Sequence, residues 1–215
     1  DKLPKALVVI GAGAIGVEFA YFYNAMGTKV TVIEYLEQGL VPREDPEISK
    51  ELKRQFTRSG IDVLGNTAVE KVDSSGKSIV VTAKDRKSGE IKEITCDLVL
   101  SAAGVASNIE NIGLETLGIK TDKGKVVVNQ WYETNVAGIY AIGDITEGPA
   151  LAHVASAEGI ICVEKIAGHH PQPLDYGNIP SCTYAQPEIA SVGMTEEQAK
   201  AAGFELKIGK FPFSA

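Results

Sequence analysis

The hydrophobic pattern of the first hundred residues predicts strands and helices in alternation. A helix is predicted over residues 14–26, and it ends at Gly27, a residue type favoured just after the last helical turn. A second helix has the start signals of an N-capping Asp45 followed by proline, and it stops at Gly60. Apolar runs before, between and after these helices predict three strands, at residues 7–10, 31–33 and 61–64.

A Gly-x-Gly-x-x-Gly turn joins the first strand to the first helix. In such a turn Gly11 permits the tight bend, Gly13 lets the backbone approach a pyrophosphate, and Gly16 lets helix and strand pack closely. The pyrophosphate would bind the unpaired N–H groups at the helix N-terminus, where the helix dipole also favours negative charge. The turn therefore predicts an adenine dinucleotide site, with a glycine-rich packing turn as the alternative.

An acidic residue at the end of the second strand selects between cofactors. Glu34 lies eighteen residues after Gly16, close to the spacing at which a carboxylate accepts hydrogen bonds from the adenosine ribose hydroxyls. A 2′-phosphate would meet a like charge there, and no Arg immediately follows Glu34 to offset it. We therefore expect NAD(H) and not NADP(H), unless Glu34 is only a solvated strand end.

After the third strand the helical periodicity gives way to alternation. Segments separated by Ser- and Gly-containing turns predict a three-stranded antiparallel meander in place of a crossover helix, at residues 69–72, 79–83 and 91–95. A last strand over residues 98–101 returns to the sheet and ends near Gly104. The predicted fold class is α/β, a Rossmann-like dinucleotide-binding domain with a β-meander insertion, as in flavoproteins that bind two dinucleotides.

The next region ends a predicted strand on a carboxylate. The apolar run over residues 139–142 leads into Gly143-Asp144, and a helix is predicted from there over residues 151–166. A carboxylate after a buried strand and beside a helix N-terminus can hydrogen-bond a ribose or polyol, but Asp144 can equally cap a turn. Beyond residue 175, short strands, a capping box at Thr195-Glu196-Glu197-Gln198 and a strand over residues 204–213 predict the opening of a further domain.

Composition and charge exclude several classes of protein. The 215 residues, 44% hydrophobic and 23% charged, fit one large or two small globular domains. A net charge of -7 disfavours nucleic acid or an anionic membrane as a partner, because both need a basic face. No apolar run is long enough for a membrane span and no signal peptide precedes the first strand, which favours a cytoplasmic location, or the mitochondrial matrix in a eukaryote.

The cysteines indicate neither a disulfide framework nor a metal site. Cys96, Cys162 and Cys182 are odd in number, far apart, and without ligand spacing to the histidines. We expect all three to be small apolar core residues of a protein in a reducing compartment, and no metal ligand is assigned.

Several of these motifs together resemble the pyridine nucleotide-disulfide oxidoreductase family. The motifs that carry the resemblance are residues 10–18, the Ala103-Gly104 turn and residues 134–144. Three more narrow it to the dihydrolipoyl dehydrogenase branch, at residues 151–153, at Glu158-Gly159 and at residues 184–193. The resemblance covers essentially the whole chain. It implies an NAD-binding domain over residues 1–106, a segment of an FAD-binding domain over 107–170, and the truncated start of a dimerisation domain over 171–215.

The resemblance also implies which residues contact each cofactor. The NAD site would be lined by Gly11, Ala12, Gly13, Ala14, Ile15, Gly16, Val17, Glu18, Glu34, Val69 and Gly104. The FAD site would include Gly143, Asp144, Ala150, Leu151, Ala152 and His153, with Asp144 on the ribityl hydroxyls. In such enzymes the residue at position 18 lies near the nicotinamide and pairs with a lysine beside the flavin.

The activity that the resemblance implies is shared between this chain and residues outside it. A complete homodimeric enzyme of this kind oxidises dihydrolipoyl groups of a multienzyme complex and transfers hydride through FAD to NAD+. The first FAD-binding glycine motif, the Cys-x-x-x-x-Cys redox pair and the C-terminal His-Pro segment do not occur in this sequence, and Val105 replaces a frequent Arg. We therefore assign no catalytic residue here and expect the isolated chain, read as a piece of a longer protein, to be inactive.

Two other functions remain open from the sequence. An NADH oxidase or peroxidase fragment would share most of the same motifs. A stand-alone NAD-binding module without catalysis would explain the absent redox residues, although such a module needs neither Gly143-Asp144 nor a truncated third domain.

Overall fold

The protein folds into two compact units in a computed structural model that describes residues 2–212. The first unit contains the chain up to Gly104 together with residues from Pro180 onward, and the second contains Val105–Ile179. The predicted α/β class is confirmed, because a parallel sheet carries helices and a meander.

The described residues form eleven strands and four helices. In chain order these are β1 (Ala6–Ile10), α1 (Ala14–Ala25), β2 (Lys29–Ile33), α2 (Pro46–Arg58), β3 (Asp62–Leu64), β4 (Thr67–Asp73), β5 (Ile79–Asp85), β6 (Ile91–Cys96), β7 (Leu98–Ser101), β8 (Thr121–Asp122), β9 (Lys125–Val126), α3 (Ala152–Ile166), β10 (Ser181–Thr183), β11 (Ile189–Ser191) and α4 (Glu196–Ala201).

The central sheet of the first unit has four parallel strands in the order β3-β2-β1-β7. Its central strand β1 pairs with both neighbours, so that Val8 lies opposite Thr31 on one side and Val99 on the other. Because β1 is covered on both faces, the sequence there is apolar at every position and shows no alternation.

The two faces of the sheet bury different sets of side chains. Leu7 and Val9 contribute to a core that includes Leu52 and Phe56 of α2. Val8 points to the opposite face and packs in a second core formed by the meander. The meander β4-β5-β6 is antiparallel, as predicted, and therefore takes the place that a crossover helix would occupy on this face.

The segment from Pro180 onward packs on the first unit. Ala185 and Ile189 belong to the same buried core as α2, and the predicted capping box of α4 is present at Thr195. Asp45 is the N-cap residue of α2, as predicted, but its side chain makes no capping hydrogen bond there, and its carboxylate instead accepts the Glu196 N–H at 2.8 Å. The strand predicted over residues 204–213 is wrong for residues 204–212, which pair with no other strand, and residue 213 lies outside the described part.

The second unit has one long helix and little sheet. Helix α3 forms as predicted, and a short hairpin joins β8 to β9. The strand predicted over residues 139–142 is wrong: within residues 105–179 only a single antiparallel bridge forms there, between Glu133 and Tyr140. An apolar run becomes a strand only beside a partner strand, and here it instead supplies Ala141 to a small core.

Among residues 2–212, no helix is both long and apolar enough to cross a membrane.

Candidate functional site

The glycine-rich turn begins at the carboxyl end of the central strand. A Cβ added to Gly11 would lie 2.5 Å from the carbonyl oxygen of Ala102, which follows β7, and the φ angle of Gly11 is +96°. A Cβ on Gly16 would lie 2.0 Å from the carbonyl oxygen of Gly11. Gly11 and Gly16 are therefore required by packing within the protein, because neighbouring backbone leaves no room for a side chain at either position.

Gly13 differs from these two glycines. A Cβ there would meet no protein atom within 4 Å, and its φ angle of -67° is open to any residue. Gly13 is also the N-cap of α1, and no side chain caps that helix end. Open space in front of uncapped backbone N–H groups is the arrangement that binds an anion such as a pyrophosphate, so the turn fits the predicted ligand.

Glu34 connects the glycine-rich turn to the end of β2. One carboxylate oxygen accepts the Ala12 N–H at 2.7 Å, and the other accepts the Leu36 N–H at 2.9 Å. The side chain is only 8% exposed. Glu34 is therefore not a solvated strand end: it orders the turn, and each oxygen retains a second lone pair with which to accept a ribose hydroxyl.

The remaining predicted NAD-site residues lie on the same unit. Gly104 follows β7 at the carboxyl edge of the sheet, with a φ angle of +138° and open space where a side chain would be. Val69 lies in β4 at the point where the pairing register with β5 shifts, and it packs on the second core. The carboxyl ends of β1, β2 and β7 meet at one edge of a parallel sheet, where ligands of such folds bind.

Glu18 lies in the second turn of α1 and has a hydrogen-bond partner that the sequence did not indicate. Its carboxylate accepts the backbone N–H of Tyr184 at 2.9 Å. Helix α1 is thereby hydrogen-bonded to the segment that carries β10 and β11.

Two contacts near this site were missed from the sequence. Val41 has a φ angle of +43°, rare for a β-branched residue, and its N–H donates to the Ala12 carbonyl at 2.7 Å in a buried position. Arg86 reaches the Tyr35 carbonyl at 3.0 Å although it is fifty-one residues away in sequence. No sequence signal marks either contact, because both depend on how the loops after β2 and β5 fold.

In the second unit, Asp144 lies in a short helical turn, residues 143–145, that packs against α3. Gly143 has a φ angle of +72°, and its Cβ position contacts Ala155 of α3. The Asp144 carboxylate is exposed and accepts no hydrogen bond from residues 2–212, while its carbonyl accepts bonds from Ser107 and Lys125. An ordered backbone with an available carboxylate fits the binding of a polyol.

A buried carboxylate holds that turn in place. Glu158 is 1% exposed, and one of its oxygens accepts the Gly143 N–H at 2.6 Å. The other accepts the Tyr176 hydroxyl at 2.5 Å, and this hydroxyl is 3.2 Å from that of Tyr132. Burial, followed by the bond to Glu158, raises the pKa of Tyr176, and burial raises the pKa of Tyr132.

The other predicted flavin-side residues begin α3. Ala150, Ala152 and His153 are exposed and Leu151, the N-cap, is half-buried. They share the second unit with Asp144, so the structure keeps the two predicted groups of site residues in separate units.

The cysteines are only partly as predicted. Cys96 and Cys162 are buried, and burial raises the pKa of both thiols. Cys182 is exposed, so its expected place in the core is wrong. Over the described part of the chain, no group of His, Cys, Asp and Glu is arranged to hold a metal ion.

Almost the whole chain is similar to proteins of one known family. The family model described as pyridine nucleotide-disulphide oxidoreductase matches residues 1–159, and the dimerisation-domain model of that family matches residues 179–215. A dihydrolipoyl dehydrogenase from Rhizobium etli is 48% identical over 100% of this chain and 44% of its own length. One from Zymomonas mobilis is 44% identical over 99% of this chain and 46% of its own length. The chain thus spans less than half of the curated relatives it matches.

Solved structures give the same result. LpdA from Mycobacterium tuberculosis superposes with a TM-score of 0.82 at 30% identity, over 94% of this chain and 43% of that one. The HOCl-induced flavoprotein disulfide reductase RclA from Escherichia coli superposes with a TM-score of 0.89 at 28% identity, over 100% of this chain and 48% of that one.

Proposed function

The chain belongs to the pyridine nucleotide-disulphide oxidoreductase family, and from this premise we propose that it is the NAD(H)-binding portion of a flavoprotein that oxidises dihydrolipoyl groups. The observation that carries the proposal is the open, uncapped backbone at Gly13 next to Ala12, whose N–H donates to the Glu34 carboxylate at the neighbouring strand end. A protein with these parts binds a pyrophosphate and an adenosine ribose at a fixed separation.

The residues of the first unit divide the binding of NAD(H) between them. The N-terminus of α1 at Gly13 binds the pyrophosphate, and Glu34 accepts hydrogen bonds from the ribose hydroxyls. Gly104 at the carboxyl edge of the parallel sheet and Val69 in the meander contribute to the same site, and Glu18 lies along α1 toward the nicotinamide end. The contribution of this chain to the rate is positioning, since it holds the nicotinamide in one orientation.

The residues of the second unit bind the flavin side chain. Asp144 accepts hydrogen bonds from ribityl hydroxyls, and residues 150–153 lie against the cofactor at the start of α3. Flavin, when bound, supplies the hydride that NAD+ accepts. Glu158 keeps Gly143 and therefore Asp144 in the geometry that this binding needs.

This chain contributes to three domains of the complete protein. Residues 1–106 form its NAD-binding domain, residues 107–170 part of its FAD-binding domain, and residues 171–215 the start of its dimerisation domain. The homodimer works with a lipoyl-bearing multienzyme complex in the cytoplasm, or in the mitochondrial matrix of a eukaryote. The redox cysteine pair and the C-terminal His-Pro segment of the family do not occur in this chain, so the chain alone is inactive.

A segment exchange tests this proposal. The matching segment of the Rhizobium etli dihydrolipoyl dehydrogenase is replaced by this chain, and NAD+-dependent oxidation of dihydrolipoamide is measured together with bound flavin. We expect a flavin-loaded chimera that reduces NAD+, and one in which Gly13→Ala raises the KM for NAD+ at least about tenfold but leaves the flavin bound. A flavin-loaded chimera with no activity toward NAD+ would contradict the proposal.

A further inference from the structure

We propose that Arg86 is a cofactor-specificity residue, which contacts the 2′-phosphate of NADPH at the adenosine end of the site. This inference rests on the proposed binding of NAD(H). The sequence does not reveal this cation, because Arg86 is far from Glu34 along the chain and the fold brings it into contact with Tyr35, the residue after Glu34.

Arg86 is held against the residue that follows Glu34. Its guanidinium lies 3.8 Å over the ring of Tyr35, and Nη1 donates to the Tyr35 carbonyl at 3.0 Å. Asn66 adds two contacts: its side-chain oxygen is 3.3 Å from the same Nη1, and its carbonyl accepts the main-chain N–H of Arg86 at 2.9 Å. The guanidinium is thus positioned by one ring contact and by two hydrogen bonds from Nη1.

The segments around Arg86 and Glu34 are hydrogen-bonded to each other. The Glu34 N–H donates to the Leu64 carbonyl at 2.8 Å, and the Thr67 N–H donates to the Glu34 carbonyl at 2.9 Å. Asn66 lies between these contacts and also donates its N–H to the Leu36 carbonyl at 3.0 Å. Arg86 is therefore connected through the backbone of Asn66 to the segment that carries Glu34, the carboxylate predicted to bind the ribose.

The guanidinium retains unused binding capacity. Nε and Nη2 of Arg86 make no hydrogen bond to any residue between positions 2 and 212, and no carboxylate in that range forms an ion pair with it. A planar guanidinium with free N–H groups matches two oxygens of a phosphate. A 2′-phosphate is the group that distinguishes NADPH from NADH at this end of the cofactor.

Cofactor preference then results from two opposing charges. Glu34 favours NADH by accepting ribose hydroxyls and repels a 2′-phosphate, while Arg86 attracts it. Because Glu34 is buried and its oxygens already accept two backbone N–H groups, its negative charge is fixed in place, whereas Arg86 is exposed and accessible. We infer that Arg86 gives the chain a residual affinity for NADPH that Glu34 limits but does not remove.

The test is a set of calorimetric titrations of the whole chain with NADH and with NADPH. In Arg86→Gln we expect the affinity for NADPH to fall about tenfold or more, as for a lost charge-assisted hydrogen bond, and that for NADH to change less than about twofold. Lys87→Gln, which removes the same charge from the adjacent exposed position, is the matched control and should change neither. In Glu34→Gln we expect the preference to shift toward NADPH by about tenfold, and Arg86→Gln added to that variant should reverse the shift.

Each outcome separates this inference from the proposed function. A wild-type chain that binds neither cofactor contradicts the proposed function itself. Two results would overturn the role of Arg86 in a wild-type chain that binds NADH. One is an equal effect of Arg86→Gln and Lys87→Gln on the NADPH affinity, and the other is no measurable NADPH binding. Circular dichroism tests whether each variant is folded. If Glu34→Gln is unfolded, the comparison of Arg86→Gln with Lys87→Gln alone decides the role of Arg86.

Discussion

The carboxylate of Glu34 accepts the backbone N–H of Ala12 at 2.7 Å. A residue predicted as a ligand contact thus also holds the glycine-rich turn in its folded shape. Ligand binding and local stability are therefore linked through one side chain.

Glu34→Ala should destabilise the protein as well as weaken NADH binding. It removes the acceptor of two backbone N–H groups at a buried position, and such groups cost about 1–3 kcal/mol when left unsatisfied. Urea unfolding followed by circular dichroism measures the loss. Glu37→Ala, at an exposed position in the same loop, should leave the midpoint unchanged; equal midpoints for both variants would mean that Glu34 does not order the turn.

The glycines of the turn should respond differently to alanine. Gly16→Ala places a Cβ 2.0 Å from the Gly11 carbonyl, and since that atom is backbone, it cannot move aside. We expect a loss of several kcal/mol or a failure to fold. Gly13→Ala meets no atom and should cost only about 0.5–1 kcal/mol as a poorer N-cap. Thermal unfolding of the two variants tests whether Gly16→Ala loses more stability than Gly13→Ala. A Gly16→Ala protein as stable as the wild type would refute this expectation.

Replacing Glu158 should separate hydrogen bonding from charge. Glu158→Ala leaves the Gly143 N–H and Tyr176 hydroxyl without their acceptor and opens a cavity, which should cost about 2–4 kcal/mol. Glu158→Gln can still accept the Gly143 N–H and donate to the Tyr176 oxygen, so we expect a smaller loss, about 1 kcal/mol or less. Thermal unfolding is monitored by the fluorescence of the single tryptophan, Trp131, which lies in the same unit. Equal losses would show that the charge, and not the bonding, is required.

The second unit should lose stability in alkali. The folded state raises the pKa of Tyr176, chiefly by burial, so an unfolded chain releases this proton near pH 10 while the folded one retains it. The stabilisation is complete below about pH 10 and is lost as the pH rises further. The same Trp131 signal, recorded at about pH 8 and about pH 11, should show a smaller alkaline shift in the melting temperature of Tyr176→Phe than of the wild type. Identical shifts would mean that the Tyr176 proton is not involved.

Much of the first unit could be predicted because its signals are local. The apolar run in β1, the turn at Gly11 and the alternation in the meander each reflect a single element and its neighbours. The same holds for the capping box, whose geometry is determined by two residues, Thr195 and Gln198.

The features that were missed depend on distant parts of the chain. Asp45 has the sequence of an N-cap but bonds to Glu196, and Arg86 reaches Tyr35 through the folding of the meander. The apolar run over residues 139–142 indicated a strand, but a strand also needs a partner, which periodicity does not reveal. Glu158 was part of a motif, yet its burial and its bond to Gly143 follow only from how α3 packs.

Calorimetric titration of the wild type and Gly13→Ala with NADH shows whether NAD(H) binds where the backbone is open at Gly13. We expect the wild type to bind NADH and Gly13→Ala to bind it with an affinity at least about tenfold lower, with its circular dichroism spectrum unchanged. Equal affinities in the two folded proteins would contradict this expectation, because the cofactor would then not approach the backbone at this turn.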